Sequence, residues 1–312
     1  MVNKIVITGG FGFIGAKMVN HFKSKNIEVV VLEHPESRTP KNYPKCEIVR
    51  ADITERTFID NLKLDDIDVV LHLAAQSSGP KSFSIPDVDI KINILGTLNV
   101  IDWCIALKTN RLLFASSFVI YGDHPEKELL DEQTEFLPKS VYATSKLAGE
   151  HLMRTYAQQK GINWNALRMF NVYGPGQDIT KPDQGVVGIF MNMLLKQDIV
   201  QVKGKLNRFR DLIHVDDVIQ GWDLCLHSSI YNQSYNLGSG HKTTYEDLIL
   251  SIAKVLGKSD LVKIEELSGT PGDMMGCYAD LTKIKENLNY FPKYNLEKGL
   301  ESMHNWIKEQ KN

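Results

Sequence analysis

Residues 8–15 read TGGFGFIG and follow directly on the apolar run IVIT at residues 5–8. This junction constrains the fold more than any other stretch of the chain. Gly9 lacks a Cβ and can make a tight turn out of a strand. Gly12 lets the backbone approach a pyrophosphate, and Gly15 allows a helix to pack closely on the strand. A helix beginning near Phe13 and Ile14 presents unpaired N–H groups to an anion. Three glycines alone are weak evidence; their place between a first strand and a first helix makes a dinucleotide site the expectation.

The rest of the chain supports an α/β reading. EVVVL (28–32), CEIVR (46–50), DVVLHLA (68–74), RLLFAS (111–116) and NALRMF (165–170) are apolar runs separated by longer periodic segments. Most are too continuous for a strand with one solvated face. Strands buried on both faces, with helices between, predict a parallel, doubly wound sheet. After Phe170 the rhythm changes. Pro175, Gly176, Pro182 and Gly185 punctuate the chain, and helix-like stretches follow at 186–196, 215–227, 244–256 and 296–308. The expected architecture is a Rossmann-like domain over residues 1–170, with returning segments near 209–238, and a smaller mixed α/β, predominantly substrate-binding domain over 171–312. FRDLIH (209–214) and SYNLG (234–238) are the candidate strands returning to the first sheet.

Composition excludes several functions. The 36 basic and 38 acidic residues give a net charge of -2, with no basic footprint for nucleic acid. No apolar run reaches the ~18 residues of a membrane span. No cleavage-site pattern follows the apolar N-terminal stretch. Cys46, Cys104, Cys225 and Cys277 are widely spaced with no CxxC pair. Neither a disulfide scaffold nor a metal site is expected, and the chain is placed in the cytoplasm.

Several side chains stand where a dinucleotide enzyme needs them. Glu33 closes the second strand eighteen residues past Gly15. A carboxylate there can accept from both adenosine ribose hydroxyls and would repel a 2′-phosphate, so NAD is favoured over NADP. His34 and Arg38 nearby are basic groups that would instead suit a phosphate. Asp52 can accept from an adenine amino group or cap a helix in ITERTF. Tyr142 and Lys146, in YATSK, lie one turn apart if the segment is helical. A tyrosine with a pKa of ~10 is a poor base near neutrality. An adjacent ammonium and a cationic nicotinamide both favour its phenolate, and the lysine can also hold a ribose. Ser116 and Ser117 close the fifth strand, where ligands of open parallel sheets lie, and either hydroxyl could share a proton with Tyr142. Asn93, an amide inside IKINILGTLNV, needs a hydrogen-bond partner whether its role is structural or functional.

Together these pieces resemble the extended short-chain dehydrogenase/reductase family, in its nucleotide-sugar epimerase/dehydratase group. The resemblance is carried by TGGFGFIG (8–15), HLAAQ (72–76), INILGTLN (92–99), SSFVIYG (116–122), YATSK (142–146), LRMFNVYGPGQ (167–177), RFRDLIHVDD (208–217) and PGD (271–273). It runs from the first strand nearly to the C-terminus. It implies that Ser117, Tyr142 and Lys146 are catalytic and that Asn93 supports their proton relay beside the cofactor. Leu73, Ala74 and Ala75 would line the cofactor after the fourth strand, with Ile53 beside Asp52. Asn171 would hold the sugar diphosphate, and the guanidinium fork of Arg210 would bind the diphosphate itself.

Three departures from the family pattern bear on the reaction. The resemblance places an acidic pair after the catalytic hydroxyl in dehydratases, and at least a glutamate in decarboxylases. Here that segment is Phe118-Val119, which can neither exchange a sugar C5 proton nor expel a C6 hydroxyl. The arginine expected before PGD is Thr270, leaving Arg208 or Lys205 to replace it. The usual aspartate after the second strand is Glu33. The implied activity is NAD-dependent epimerisation of a nucleotide-diphosphate hexose at C4, by a homodimer. A nucleotide-sugar 4-keto reductase is the alternative. Less favoured are a 4,6-dehydratase and a non-catalytic NAD-binding protein, against which the intact Ser117, Tyr142 and Lys146 argue.

Overall fold

A computed structural model describes residues 2–41, 43–182, 185–269 and 274–310. Strands β1 (Lys4–Thr8), β2 (Glu28–Glu33), β3 (Glu47–Arg50), β4 (Val69–His72) and β5 (Arg111–Ser117) join the strands Asn163–Met169 and Gln233–Leu237 in one seven-stranded sheet. Its order is Gln233–Leu237, Asn163–Met169, β5, β4, β1, β2, β3. β1 pairs in parallel with β2 on one side and β4 on the other. β2 pairs in parallel with β3, and β4 with β5. Strand order therefore reverses about β1, and the glycine turn leaves the sheet at that switch point, where such sheets bind ligands.

The apolar runs are explained by burial on both faces. Ile5, Val6, Ile7, Val30, Val31, Leu112 and Leu113 have no exposed surface. On one face Val6, Val30, Val70 and Phe114 pack with Val100, Ile101 and Trp103 from the helix Gly96–Ala106. That helix continues from Pro86–Asp89 through a widened π-type stretch, Ile90–Leu95, which carries Asn93. Such widened turns recur at functional sites.

The chain divides into two compact units. One comprises residues 1–120, 138–168 and 221–235; the other comprises 121–137, 169–220 and 236–312. The second has its own core, where Phe190, Met191 and Leu194 meet Val200, Leu248, Ile252 and Met303. Residues 121–137 group with it because Leu129–Leu130 pairs in parallel with Tyr278–Ala279 and Asn236 Nδ2 donates to the Leu130 carbonyl at 2.7 Å.

Of the two candidate returning strands, only one returns. Gln233–Leu237 is an edge of the seven-stranded sheet. FRDLIH instead splits. Phe209–Arg210 pairs antiparallel with Thr243–Thr244, and Leu212–His214 pairs in parallel with Asn171–Tyr173. The cause is Asp211, fully buried between the two halves. Its carboxylate accepts from the N–H groups of Ser239, Gly240 and Ala279, at 2.7, 2.9 and 3.1 Å. Among the described residues no helix is long and apolar enough to cross a membrane.

Candidate active site

The glycine turn is built by close approach. Gly9 has φ +72°, and a Cβ there would lie 2.8 Å from the Ala74 nitrogen. The Thr8 hydroxyl fixes this junction by accepting from the Leu73 and Ala74 N–H groups, at 3.1 and 3.0 Å. Leu73, Ala74 and Ala75 run out half-buried beside the turn. A Cβ on Gly15 would come within 2.3 Å of the Gly9 carbonyl oxygen. The contact that demands this glycine is thus with the turn's own backbone. The helix α1 (Phe13–Ser24) starts at Gly12 with no side-chain cap and no acidic residue in its first turn. Phe13 and Ile14 open that turn. A cradle free of side chains at an uncapped helix N-terminus fits a dinucleotide pyrophosphate.

Glu33 is only 7 % exposed, and its Oε1 accepts from the Phe11 N–H at 2.6 Å. Burial raises its pKa, against the pull of that bond and of Ser37 and Arg50. The carboxylate therefore braces the glycine turn, and a ribose would share it rather than have both oxygens to itself. A third basic group, Arg50, faces Glu33 as its register partner on β3, beside the His34 and Arg38 that follow the strand. Strand pairing was the missing signal. Arg50 donates to the carbonyls of His34 and Ser37 and to the Thr39 hydroxyl, which turns it toward the loop. Asp52 caps no helix in ITERTF. Its Oδ1 closes a turn on the Thr54 N–H at 2.9 Å, and its Oδ2 lies 3.4 Å from His34 Nε2. The next helix starts only at Phe58. Ile53 is buried, and its carbonyl accepts from Asn99.

The helix Val141–Leu152 is capped by the Ser140 hydroxyl on the Ala143 N–H and carries Tyr142 and Lys146. Ser117 hydrogen-bonds the Tyr142 side chain. Ser116 turns away to Glu150, whose carboxylate also pairs with Arg168 at 2.8 Å and accepts from Ser234. Geometry thus separates the two serines: Ser117 belongs with the tyrosine, Ser116 with a buried structural ion pair. Lys146 Nζ donates to the Ala115 carbonyl at 2.9 Å and sits 5.1 Å from the centroid of the Phe114 ring.

Burial pushes Tyr142 up to about 12. The Ser117 bond lowers it, and the Asp89 charge raises it further. Burial pushes Lys146 down to about 8, opposed by Asp89. The protein by itself does not favour the phenolate, and the ammonium one turn away does not offset burial.

Asn93 is an internal clip. Its Oδ1 accepts from the Gln76 N–H at 2.9 Å, and its Nδ2 faces the Gln76 carbonyl, Asp89 and Ser145. Ser145 donates to the Tyr142 carbonyl at 2.8 Å. Asn93 therefore acts on the site through these groups, with its amide spent on protein partners. Asp89 and Gln76 were missed as site residues. The available signal for Asp89 was an acid four residues before Asn93, one helical turn away on the same face.

In the second unit Arg210 is 9 % exposed. Its Nη1 donates to the carbonyls of Phe209, Met274 and Met275, and its guanidinium lies 5.2 Å from the Tyr245 ring centroid. Arg208 lies over the same ring at 4.6 Å. Asn171 donates to the Asp211 carbonyl from both its backbone and its side chain. Thr270 and the PGD segment at 271–273 lie outside the described residues.

A glycine-cradled helix N-terminus at a sheet switch point, with a serine bonded to a tyrosine one turn from a buried lysine, defines an extended short-chain dehydrogenase/reductase. Within that class the chain belongs to the NAD dependent epimerase/dehydratase family, whose profile matches residues 5–238. The fold is similar to UDP-glucose 4-epimerase of Thermotoga maritima, solved with UDP-glucose, with a TM-score of 0.92 and 27% identity over 99% of this chain and 100% of that one. It is also similar to UDP-glucose 4-epimerase of Thermus thermophilus in complex with NAD, with a TM-score of 0.87 and 31% identity over 98% and 99% of the two chains. A relative with another reaction in its name, UDP-glucuronic acid decarboxylase 6 of Arabidopsis thaliana, is 30% identical over 311 residues, 96% of this chain and 87% of the relative.

Proposed function

We propose that this chain inverts C4 of a nucleotide-diphosphate hexose, using NAD that it holds and regenerates. The observation that carries the choice of reaction is the turn after Ser117. Where dehydration or decarboxylation needs an acid, the chain places Phe118, which is 8 % exposed, and Val119. The proton machinery is otherwise complete in Ser117, Tyr142 and Lys146.

Gly9, Gly12, Phe13, Ile14 and Gly15 would hold the pyrophosphate, Glu33 the adenosine ribose and Lys146 the nicotinamide ribose. When bound, NAD supplies the acceptor and donor of the C4 hydride and a positive charge beside Tyr142. Tyr142 Oη takes the C4 hydroxyl proton, and Ser117 holds the same oxygen. Inversion requires the 4-keto sugar to present its other face before Tyr142 returns the proton. Arg210 and Asn171 are assigned to the diphosphate end of the substrate. The protein works as a cytoplasmic homodimer; Ile90, Leu95 and Ile105, 53 %, 42 % and 39 % exposed, offer the apolar surface for self-association.

The test offers nucleotide-hexose C4 epimer pairs with no added reduced cofactor. Product of equal mass, inverted at C4, is expected. Loss of water would assign a dehydratase, and loss of carbon dioxide from a uronic acid a decarboxylase. A product two mass units heavier, formed only with added NADH or NADPH, would assign a 4-keto reductase.

A further inference from the structure

Asp89 is a buried carboxylate for which the reaction above has no use. It has no exposed surface. Gln76 Nε2 donates to both its oxygens, at 3.1 and 2.9 Å, and Asn93 Nδ2 lies 3.3 Å from Oδ1. Gln76 is itself pinned, its Nε2 donating to the Ser78 carbonyl and its Oε1 accepting from the Ser78 N–H. Burying a carboxylate costs several kcal/mol unless it is well compensated. Here the compensation comes from neutral amides, and among the described residues no cation lies within ion-pair distance. An amide or an apolar side chain would fill this place at lower electrostatic cost.

The surroundings indicate what the charge acts on. From Asp89 the bonds run through Asn93 to Ser145, and from Ser145 to the backbone of Tyr142. Lys146, one turn further along the same helix, has its amine buried at the Ala115 carbonyl. The other titratable groups around this cluster are accounted for. Lys81, on the helix Gly79–Ser84, is exposed. Asp87 and Lys91 are exposed and paired with each other at 3.4 Å. His72, on β4, lies between Thr8 and Thr97 and is kept neutral by burial. Glu150 is committed to Arg168.

We propose that Asp89 is a positioning residue for the catalytic pair: a buried carboxylate, three hydrogen bonds from the Tyr142 backbone, that sets the charge around Tyr142 and Lys146 and, with Gln76 and Asn93, holds the helix bearing Tyr142 in register with Ser117. The proposal rests on the assignment of Tyr142 and Lys146 as the acid–base pair. Both pKa directions support it, since the Asp89 charge raises Lys146 and Tyr142 alike. Burial raises the pKa of Asp89 itself, against the pull of Gln76 and of the Lys146 charge; ionised, the carboxylate favours the protonated lysine and makes the tyrosine harder to ionise.

The test is a pH titration of the NAD-loaded protein without sugar, followed by near-ultraviolet phenolate absorbance. Subtracting the Tyr142→Phe curve isolates Tyr142. A negative charge favours the protonated form of both neighbours, so its removal lowers both midpoints. Asp89→Asn should move the Tyr142 midpoint down by about half a pH unit or more. Asp89→Glu, which keeps the charge, should leave it near wild type. Asp89→Ser serves as the second neutral variant should the asparagine not fold. Where turnover can be followed, both limbs of the kcat profile should shift to lower pH in the neutral variants. An unmoved midpoint in a folded, NAD-loaded neutral variant overturns the proposal and leaves the epimerase assignment intact. So does a glutamate variant displaced as far as the neutral ones. A shifted midpoint in a protein that turns over no nucleotide sugar supports the proposal while removing the reaction assigned above.

Discussion

Tyr142 and Lys146 occupy one helical face, yet burial moves them in opposite directions, the phenol up to about 12 and the amine down to about 8. Desolvation penalises whichever form is charged, so it draws both groups toward their neutral forms. Tyr142→Phe removes only the oxygen. Turnover should fall roughly 100-fold or more while circular dichroism and NAD content stay at wild type. A second prediction concerns His72, which burial, helped by the Lys146 charge, pushes down to about 3. The folded protein binds this proton less well than the unfolded chain. Its stability is therefore complete above the ordinary imidazole range of ~6.5 and falls as pH drops through it. This group alone should make the protein about 1.4 kcal/mol less stable at about pH 5.5 than at about pH 7.5. Urea unfolding at both values would measure it. His72→Gln, which cannot titrate, should shrink the difference by that amount; an unchanged difference would show that other groups carry it.

At the scale of elements, two short structures hold the binding assignments. In the turn between β1 and α1, a Cβ on Gly15 would strike the Gly9 carbonyl at 2.3 Å, and backbone cannot yield as a side chain end can. Gly15→Ala should lower stability by about 1–3 kcal/mol and reduce NAD affinity. Thermal melts and calorimetric titration would check both, and an alanine variant with wild-type NAD affinity would remove the turn from the cofactor site. The strand Phe209–Arg210 carries the other assignment. The Arg210 guanidinium is held beside the Tyr245 ring by the carbonyls of Phe209, Met274 and Met275. A charge-assisted bond is worth ~1.5–3 kcal/mol. Arg210→Ala should therefore weaken nucleotide-sugar binding by roughly 10-fold or more and leave NAD binding unchanged. Equal sugar-nucleotide affinity in the variant would withdraw the assignment.

For the whole molecule, self-association is the property to measure. Ile90, Leu95 and Ile105 are exposed on a helix whose opposite side packs on the sheet. Apolar residues that recur along an exposed helix face mark an interaction surface more often than scattered ones do. Light scattering coupled to size exclusion should return a dimer, and Leu95→Arg should return a monomer that still holds NAD. A wild-type monomer would leave these residues as ordinary surface.

Much of the first unit was legible in the chain because its signals are local. Uninterrupted apolar runs such as EVVVL and RLLFAS encode burial on both faces, which only an interior parallel strand satisfies. TGGFGFIG encodes a turn that only glycine backbones can make, and a four-residue spacing places Tyr142 and Lys146 on one face. What the chain could not show are pairings between distant segments, decided by which polar groups packing leaves to be satisfied. Ser116 and Ser117 are neighbours in sequence, and only the positions of Glu150 and Tyr142 separate their roles. Arg50 faces Glu33 through strand register. FRDLIH reads as one strand, yet the buried carboxylate of Asp211 must meet three N–H groups from remote turns, and that requirement breaks it in two. Asp89 joins the catalytic neighbourhood for the same reason: a helix brings it to Gln76 and Asn93, and burial makes their amides its partners.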